Sequence, residues 1–208
     1  MTDAVSAPVS ATSATPDEGG VRERLLDAMG KCLMERGYRD TTVADVVRTA
    51  RTSRRSFYQE FDDKQECFVE LLGNSNARLI TAIDDGVDRG ADWQTQVRQA
   101  VGAYVAACEE HPETTWSWIR ELPALGQSAR AVQLASIESF IALLVFLTDT
   151  EQMRAAGIEP MSREIALIIW GGIRELAAST LEQGASLRTI EEPAAAACIA
   201  LLAVHAHQ

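Results

Sequence analysis

The sequence predicts an all-α protein, and three observations carry that reading. Apolar residues recur at helical spacing along almost the whole chain beyond residue 20. No segment sustains the period-two alternation of a half-buried strand, and no internal repeat is evident. The interruptions are short Gly, Pro, Asp and Ser clusters of the kind that end helices. At 208 residues, 47% hydrophobic and 24% charged, the chain has the material for one domain or two small ones with a sizeable core.

Residues 1–20 are rich in Ser, Thr, Ala and Pro without periodicity and read as a disordered arm. Val21, Leu25, Met29 and Leu33 then mark one face of a first helix, which Gly37 closes as a C-cap. Thr42-x-x-Asp45 has the form of a capping box and opens a short second helix, Val43 to about Thr49. After a tight turn comes a third, about Ser53 to Gln59. Asp63-x-x-Glu66 caps a longer fourth helix reaching about Asp85. Five further helices are predicted near 93–110, 113–122, 128–153, 162–183 and 190–206. The boundary between an N-terminal unit, 21–65, and a body, 66–208, therefore falls inside the fourth helix rather than at a linker.

The formal net charge is −11, yet residues 21–72 carry equal numbers of basic and acidic side chains. Within them, Arg48, Arg51, Arg54 and Arg55 crowd a stretch ending at Tyr58 that contains no carboxylate. An acidic body repels nucleic acid, so any phosphate contact has to come from this stretch. Two short helices joined by a tight turn, with Arg, Ser and Tyr on the second, describe a helix-turn-helix. Ala44, Val47 and Ala50 are small enough for the two helices to pack closely. Phe57 and Phe61 fall on one face, against Val21, Leu25 and Met29. Arg54, Arg55, Ser56 and Tyr58 point elsewhere: Arg forks onto a guanine edge, and Ser and Tyr hydroxyls suit phosphates. The helix N-termini near Thr42, Ser53 and Lys64 offer backbone N–H groups to phosphate oxygens.

The segment "RGYRDTTVADVVRTARTSRRSFYQEFDDKQECF" resembles the DNA-binding domain of the tetracycline-repressor (TetR) family of bacterial transcriptional regulators. It has the glycine–aromatic pair, the Thr pair, V-A-D, S-R-x-S-F-Y-x-x-F and a Lys opening the next helix. The resemblance covers about a quarter of the chain. It implies a ligand-responsive regulator, in the usual mode a repressor, that binds a palindromic double-stranded operator as a homodimer. It implies an N-terminal three-helix DNA-binding domain followed by a helical ligand-binding and dimerisation domain. The expected DNA-binding residues are Thr42, Ser53, Arg54, Arg55, Ser56, Tyr58 and Lys64. The sequence departs from the family pattern at two positions. Arg51 replaces a common turn glycine, at a cost of about 1–2 kcal/mol if its backbone is left-handed. Glu60 puts a carboxylate near the DNA backbone unless it points away.

No family motif extends into the body. There Trp93, Val97, Val101, Tyr104 and Cys108 form one apolar helical stripe. Trp116, Ile119 and Leu122 follow, with Trp118 directed elsewhere, and Ile137, Phe140, Leu144 and Leu147 lie on the long helix. These stripes form either a filled core or the lining of an apolar cavity for a small hydrophobic ligand such as a fatty-acyl chain. The candidate lining is Trp93, Tyr104, Cys108, Trp116, Ile119, Phe140, Leu144 and Trp170. The last two long helices are apolar on more than one face and suit a dimer interface, with Ile165, Ile169, Ile173, Leu176, Ile199 and Leu202 as candidates.

Little points to an enzyme. There is no nucleophile–base pair, Gly-rich phosphate loop or cofactor motif, so no cofactor is expected. His111 sits at a helix end, and His205-x-His207 alone is a weak metal signal. The four scattered cysteines read as buried free thiols. No signal peptide is apparent, and apolar runs such as Ala194–Val204 fall short of the roughly 20 residues of a membrane span. Together these favour a cytoplasmic location. The alternative function is a helical ligand-binding protein or adaptor that no longer binds DNA.

Overall fold

The computed structural model describes residues 20–205; the arm over residues 1–19 and His207 lie outside the described residues. Among the described residues the chain is helical throughout: α1 (Val21–Asp40), α2 (Val43–Thr49), α3 (Arg54–Glu60), α4 (Lys64–Asp85), α5 (Trp93–Glu110), α6 (Pro112–Trp116), α7 (Gln127–Thr148), α8 (Glu151–Ala155), α9 (Arg163–Glu182) and α10 (Glu191–His205).

Two hydrophobic cores divide these helices. The first gathers Leu25, Met29 and Leu33 of α1, Val46 of α2, Phe57 of α3, Phe61, and Cys67, Phe68, Leu71 and Leu72 of α4. The second begins further along the same α4 at Ile83 and takes in the inner faces of α5, α7, α9 and α10. α4 thus buries its first three turns in one core and its C-terminal part in the other. At its end, a Cβ on Gly86 would lie 2.9 Å from Cβ of Ala103, so α4 and α5 approach as closely as a bare backbone permits. All four cysteines are buried free thiols, and burial pushes the Cys67 thiol up to about 12.

The caps form where side-chain chemistry placed them. Thr42 and Asp45 exchange reciprocal hydrogen bonds at the start of α2, and Ser53 and Asp63 accept from Ser56 N–H and Glu66 N–H. Gly37 breaks the first helix with a non-helical φ of 74° and ψ of 171°, and a further short helical turn follows it to Asp40.

Three boundaries differ from the periodicity. The predicted helix over 128–153 divides into α7 and α8. Thr148, Asp149 and Thr150 lie in a row, and such side chains compete for backbone groups. Thr148 Oγ1 accepts from Met161 N–H, while Thr150 caps α8 by accepting from Met153 N–H. The stretch after α6 passes through a π turn, Ser117–Glu121, and a 3-10 turn, Leu122–Leu125. Pro123 has no N–H to continue an α-helical ladder there. A 3-10 turn, Leu187–Ile190, also leads into α10. Residues 129–148 of α7 are long and apolar enough to span a bilayer by length and composition. That corrects the reading of the apolar runs as too short. In the fold this helix packs against α4 and α9.

The turn between α2 and α3 is a Schellman motif. Thr52 N–H donates to Val47 C=O at 2.9 Å and Arg51 N–H to Arg48 C=O at 3.2 Å. The motif demands a left-handed residue at its C′ position, and Arg51 supplies it with φ 52°, the one positive φ outside glycine among the described residues. Replacing Arg51 by Gly is expected to stabilise the protein by about 1 kcal/mol, because the bonds remain and the Cβ clash is removed. Urea unfolding of the two proteins measures this; an Arg51→Gly variant less stable than the parent would contradict it.

Candidate nucleic-acid interface and internal cavities

α3 is short, and its orientation is set from below. Phe57 is fully buried against α1, and Phe61 at its C-terminus carries the Arg22 guanidinium over its ring at 4.4 Å. With that face anchored, Arg54, Arg55 and Tyr58 project outward; Tyr58 is 57% exposed and meets Phe57 edge-on. Neither Arg54 nor Arg55 has a carboxylate within ion-pair distance among the described residues, and Arg51 is equally open. Ser53 and Ser56 share a hydrogen bond at 2.9 Å at the α3 N-terminus. Thr42 is exposed, but its hydroxyl donates to Asp45 at 2.6 Å.

Several other charges of this unit are paired internally. Asp45 receives Thr42, Arg36 and Arg48, and these bonds, Thr42's first, hold its carboxyl down at about 2. Arg48 is thereby taken up. Glu60 points away from the α3 surface, paired with Arg22 at 3.4 Å, and the same guanidinium reaches Glu70 at 2.8 Å. Lys64 is a correction. Its Nζ donates to the carbonyls of Tyr38 and Thr41, both at 2.8 Å, and lies 4.1 Å from the Tyr38 ring centre. It caps the C-terminal end of α1, and burial pulls its pKa down. Its ammonium is not presented on the outer surface with Arg54 and Arg55.

The body encloses two neighbouring cavities. The larger, about 580 Å³, lies between α4, α5, α7 and α9 and mixes apolar and polar lining. The smaller, about 70 Å³, is almost wholly apolar and reaches in among Val97, Leu144, Leu147, Met153 and Leu202. Tyr104, Phe140 and Trp170 line both. Phe140 stacks on Trp170 with ring centres 3.6 Å apart, and Tyr104 meets Trp170 edge-on at 5.9 Å. Of the sequence candidates, Leu144 lines the smaller chamber, and Cys108 and Ile119 line the larger. Trp93 and Trp116 line neither: Trp93 packs on the outside of the core, and Trp116 lies under the Arg120 guanidinium at 6.0 Å.

Trp118, directed elsewhere by the helical count, is a wall of the larger chamber. The π turn rotates it inward, and its Nε1–H donates to Leu72 C=O of α4 at 3.1 Å. It packs against both cores. Arg78, Arg130 and Arg174 also line this chamber and were missed. For Arg174 a signal existed, since it stands one helical turn after Trp170 on the same face.

The interface candidates need correction too. Ile169 and Leu202 are buried against the small chamber, Ile173 lines it in part, and Ile165 and Ile199 are half-buried against the body core. Of the six, Leu176 alone lies on the open side. That outer side of α9 carries Ile168, 59% exposed, with Gly171, Gly172 and Leu176. A Cβ at either glycine would meet nothing within 4 Å.

Residues 25–71 match the model of the bacterial regulatory proteins of the tetR family. No curated protein sequence matches the chain. Among solved structures, the fatty acid degradation regulator FadR from Bacillus halodurans superposes with a TM-score of 0.74 at 15% identity, over 86% of this chain and 94% of that one. FadR from Bacillus subtilis, in complex with stearoyl-CoA, gives 0.72 at 15% identity, over 86% and 97%. The regulatory protein TetR from Rhodobacter sphaeroides gives 0.67 at 17% identity, over 84% and 97%. At these identities the likeness establishes the fold.

Proposed function

We propose that this chain is a DNA-binding transcriptional regulator of the tetR family, a homodimeric repressor released from a palindromic operator by a small hydrophobic effector. In this reading residues 21–65 contact DNA, residues 66–208 bind ligand and dimerise, and the protein acts in the cytoplasm. The observation that carries the proposal is the juxtaposition on α4. One end of this helix supports the open arginine face of α3, and the other walls a cavity of ligand size.

α3 enters the major groove, with Arg54 and Arg55 on bases or phosphates. Ser53, Ser56, Tyr58 and Thr42 hold the backbone, joined by the N–H groups at the α4 N-terminus. Lys64 acts through the position of that terminus. Loss of one base contact costs about 1–3 kcal/mol. An Arg54→Ala, Arg55→Ala, Tyr58→Phe triple variant is therefore expected to lose operator binding in a gel-shift assay with the DNA upstream of its own gene. Unchanged affinity would remove α3 from the interface.

The second copy docks on the outer side of α9, where Ile168, Gly171, Gly172 and Leu176 let two helices approach closely, with the small outer residues of α10 beside them. Ile168→Glu is expected to give a folded monomer by sedimentation, whereas a persistent dimer would place the interface elsewhere.

Trp118 is the contact through which an occupied cavity moves α4. An effector acts only by binding the DNA-incompetent dimer better than the competent one. A tilt of α4 that changes the recognition-helix spacing away from the roughly 34–36 Å of successive grooves supplies that difference. Trp118→Phe keeps the ring wall and deletes the bond to Leu72. It is expected to retain effector binding while shrinking the effector's influence on operator affinity, normally about 5- to 150-fold for coupled sites. Parallel ligand titrations and gel shifts measure both, and undiminished coupling would exclude Trp118 as the link.

A further inference from the structure

The larger chamber carries an unusual charge for this protein. In a chain of net charge −11 it is lined by Arg78, Arg130 and Arg174, with Glu110 as the one carboxylate in its lining. Arg174 is the deepest of the three: Arg78 and Arg130 are exposed, whereas Arg174 is largely covered. No carboxylate among the described residues lies within ion-pair distance of it. Its sequence neighbour Glu175 faces the other way, held by Arg120 at 2.8 Å, and Glu182 is held by the same guanidinium. The Arg174 guanidinium lies 5.9 Å from the centre of the Trp170 ring. Burial pulls the Arg174 pKa down, and the nearby charges of Glu175 and Arg120 act on it in opposite senses.

A second, independent observation lies one helical turn away. The Nε1–H of Trp170, on a side chain that is 9% exposed, is buried without an acceptor. Buried donors are ordinarily satisfied, and an orphan in a cavity wall marks a missing acceptor. The larger cavity is thus lined on one face of α9 by the Arg174 guanidinium and the Trp170 ring, whose indole donor is buried and unpaired. Around them stand the apolar surfaces of Ile119, Ile137, Leu79 and Phe140.

We infer that Arg174 is an anion-recognising subsite, and that the molecule it takes is an amphiphile with an anionic head and an apolar body. The head accepts from the Arg174 guanidinium, with Arg78 and Arg130 nearer the mouth. The apolar body lies against the rings of Phe140 and Trp118. At about 580 Å³ the chamber holds about twenty water-sized groups, which suits a medium-chain acid. This deepens the proposed effector site and rests on that reading of the cavity.

The test compares sodium laurate with 1-dodecanol, equal in chain length and different in charge, by tryptophan fluorescence on the full chain without DNA. Laurate is expected to bind at least about tenfold more tightly, the size of one charge-assisted contact. Arg174→Gln is expected to bring laurate down to the level of dodecanol and leave dodecanol unchanged, while Arg174→Lys restores part of the difference. Thermal melts check each variant for folding, and Arg78→Gln, at the mouth, is expected to give a smaller loss. Equal binding of laurate and dodecanol to the parent, no binding of either, or an equal loss of both in Arg174→Gln overturns the subsite. Lauroyl-CoA distinguishes sources. Tighter binding than laurate with the same Arg174 dependence assigns the anion to a carrier phosphate, and weaker binding assigns it to the acyl carboxylate. Gel shifts in the presence of laurate are read separately. Arg174-dependent binding that never alters operator affinity leaves the subsite standing and removes the effector reading; loss of the subsite alone leaves the regulator reading intact.

Discussion

Everything in this molecule hangs on a single helix that belongs to two cores. Phe68, Leu71 and Leu72 fix the first half of α4 under α1, while Ile83 fixes its far end under α5. Separating the two units would expose apolar surface on both, at about 25 cal/mol per Å². Trp118 adds a lateral tie where the cores meet, giving its N–H to a carbonyl of that helix and its ring to both sides. A rigid element with packed ends transmits displacement as rotation of the whole rod.

The electropositive face of α3 arises mainly by subtraction. Residues 21–72 are neutral in sum, and the sign of their surface depends on which charges are paired. Asp45 takes Arg36 and Arg48, Arg22 takes Glu60 and Glu70, and Lys64 turns onto the end of α1. Those pairings engage several of the unit's ions and leave Arg51, Arg54 and Arg55 without an ion pair among the described residues. Desolvating them against phosphate requires no internal ion pair to break first.

Local chemistry was legible in the sequence wherever neighbours in the chain decide the outcome. The Thr42 and Asp63 caps follow from residues within a few positions, and the i, i+4 spacing of Phe57 and Phe61 marks the buried face of α3. That Glu60 point away from the DNA side was posed as a condition, and Arg22, 38 positions away, pairs with its carboxylate. What escaped depends on tertiary proximity. Nothing near Lys64 announces that α1 ends above it. α9 is apolar on several sides, so its periodicity does not say which side meets the body, and Ile169 and Ile173 went inward while Ile168 stayed out. Trp118 escaped because a π turn adds a residue to the count, and the helical wheel then points the ring the wrong way.

The three rings shared by the two chambers have a kinetic consequence. A molecule that fills the larger chamber alone can enter and leave through its polar mouth. One long enough to reach from the larger chamber into the smaller would have to pass Tyr104, Phe140 and Trp170, which line both, and pass them again to depart by the same way. The second passage is a rearrangement inside the protein, so its rate is indifferent to how much ligand is dissolved outside. Chain length would then set the duration of occupancy more steeply than it sets affinity. The body would hold a record of exposure that outlasts the exposure itself.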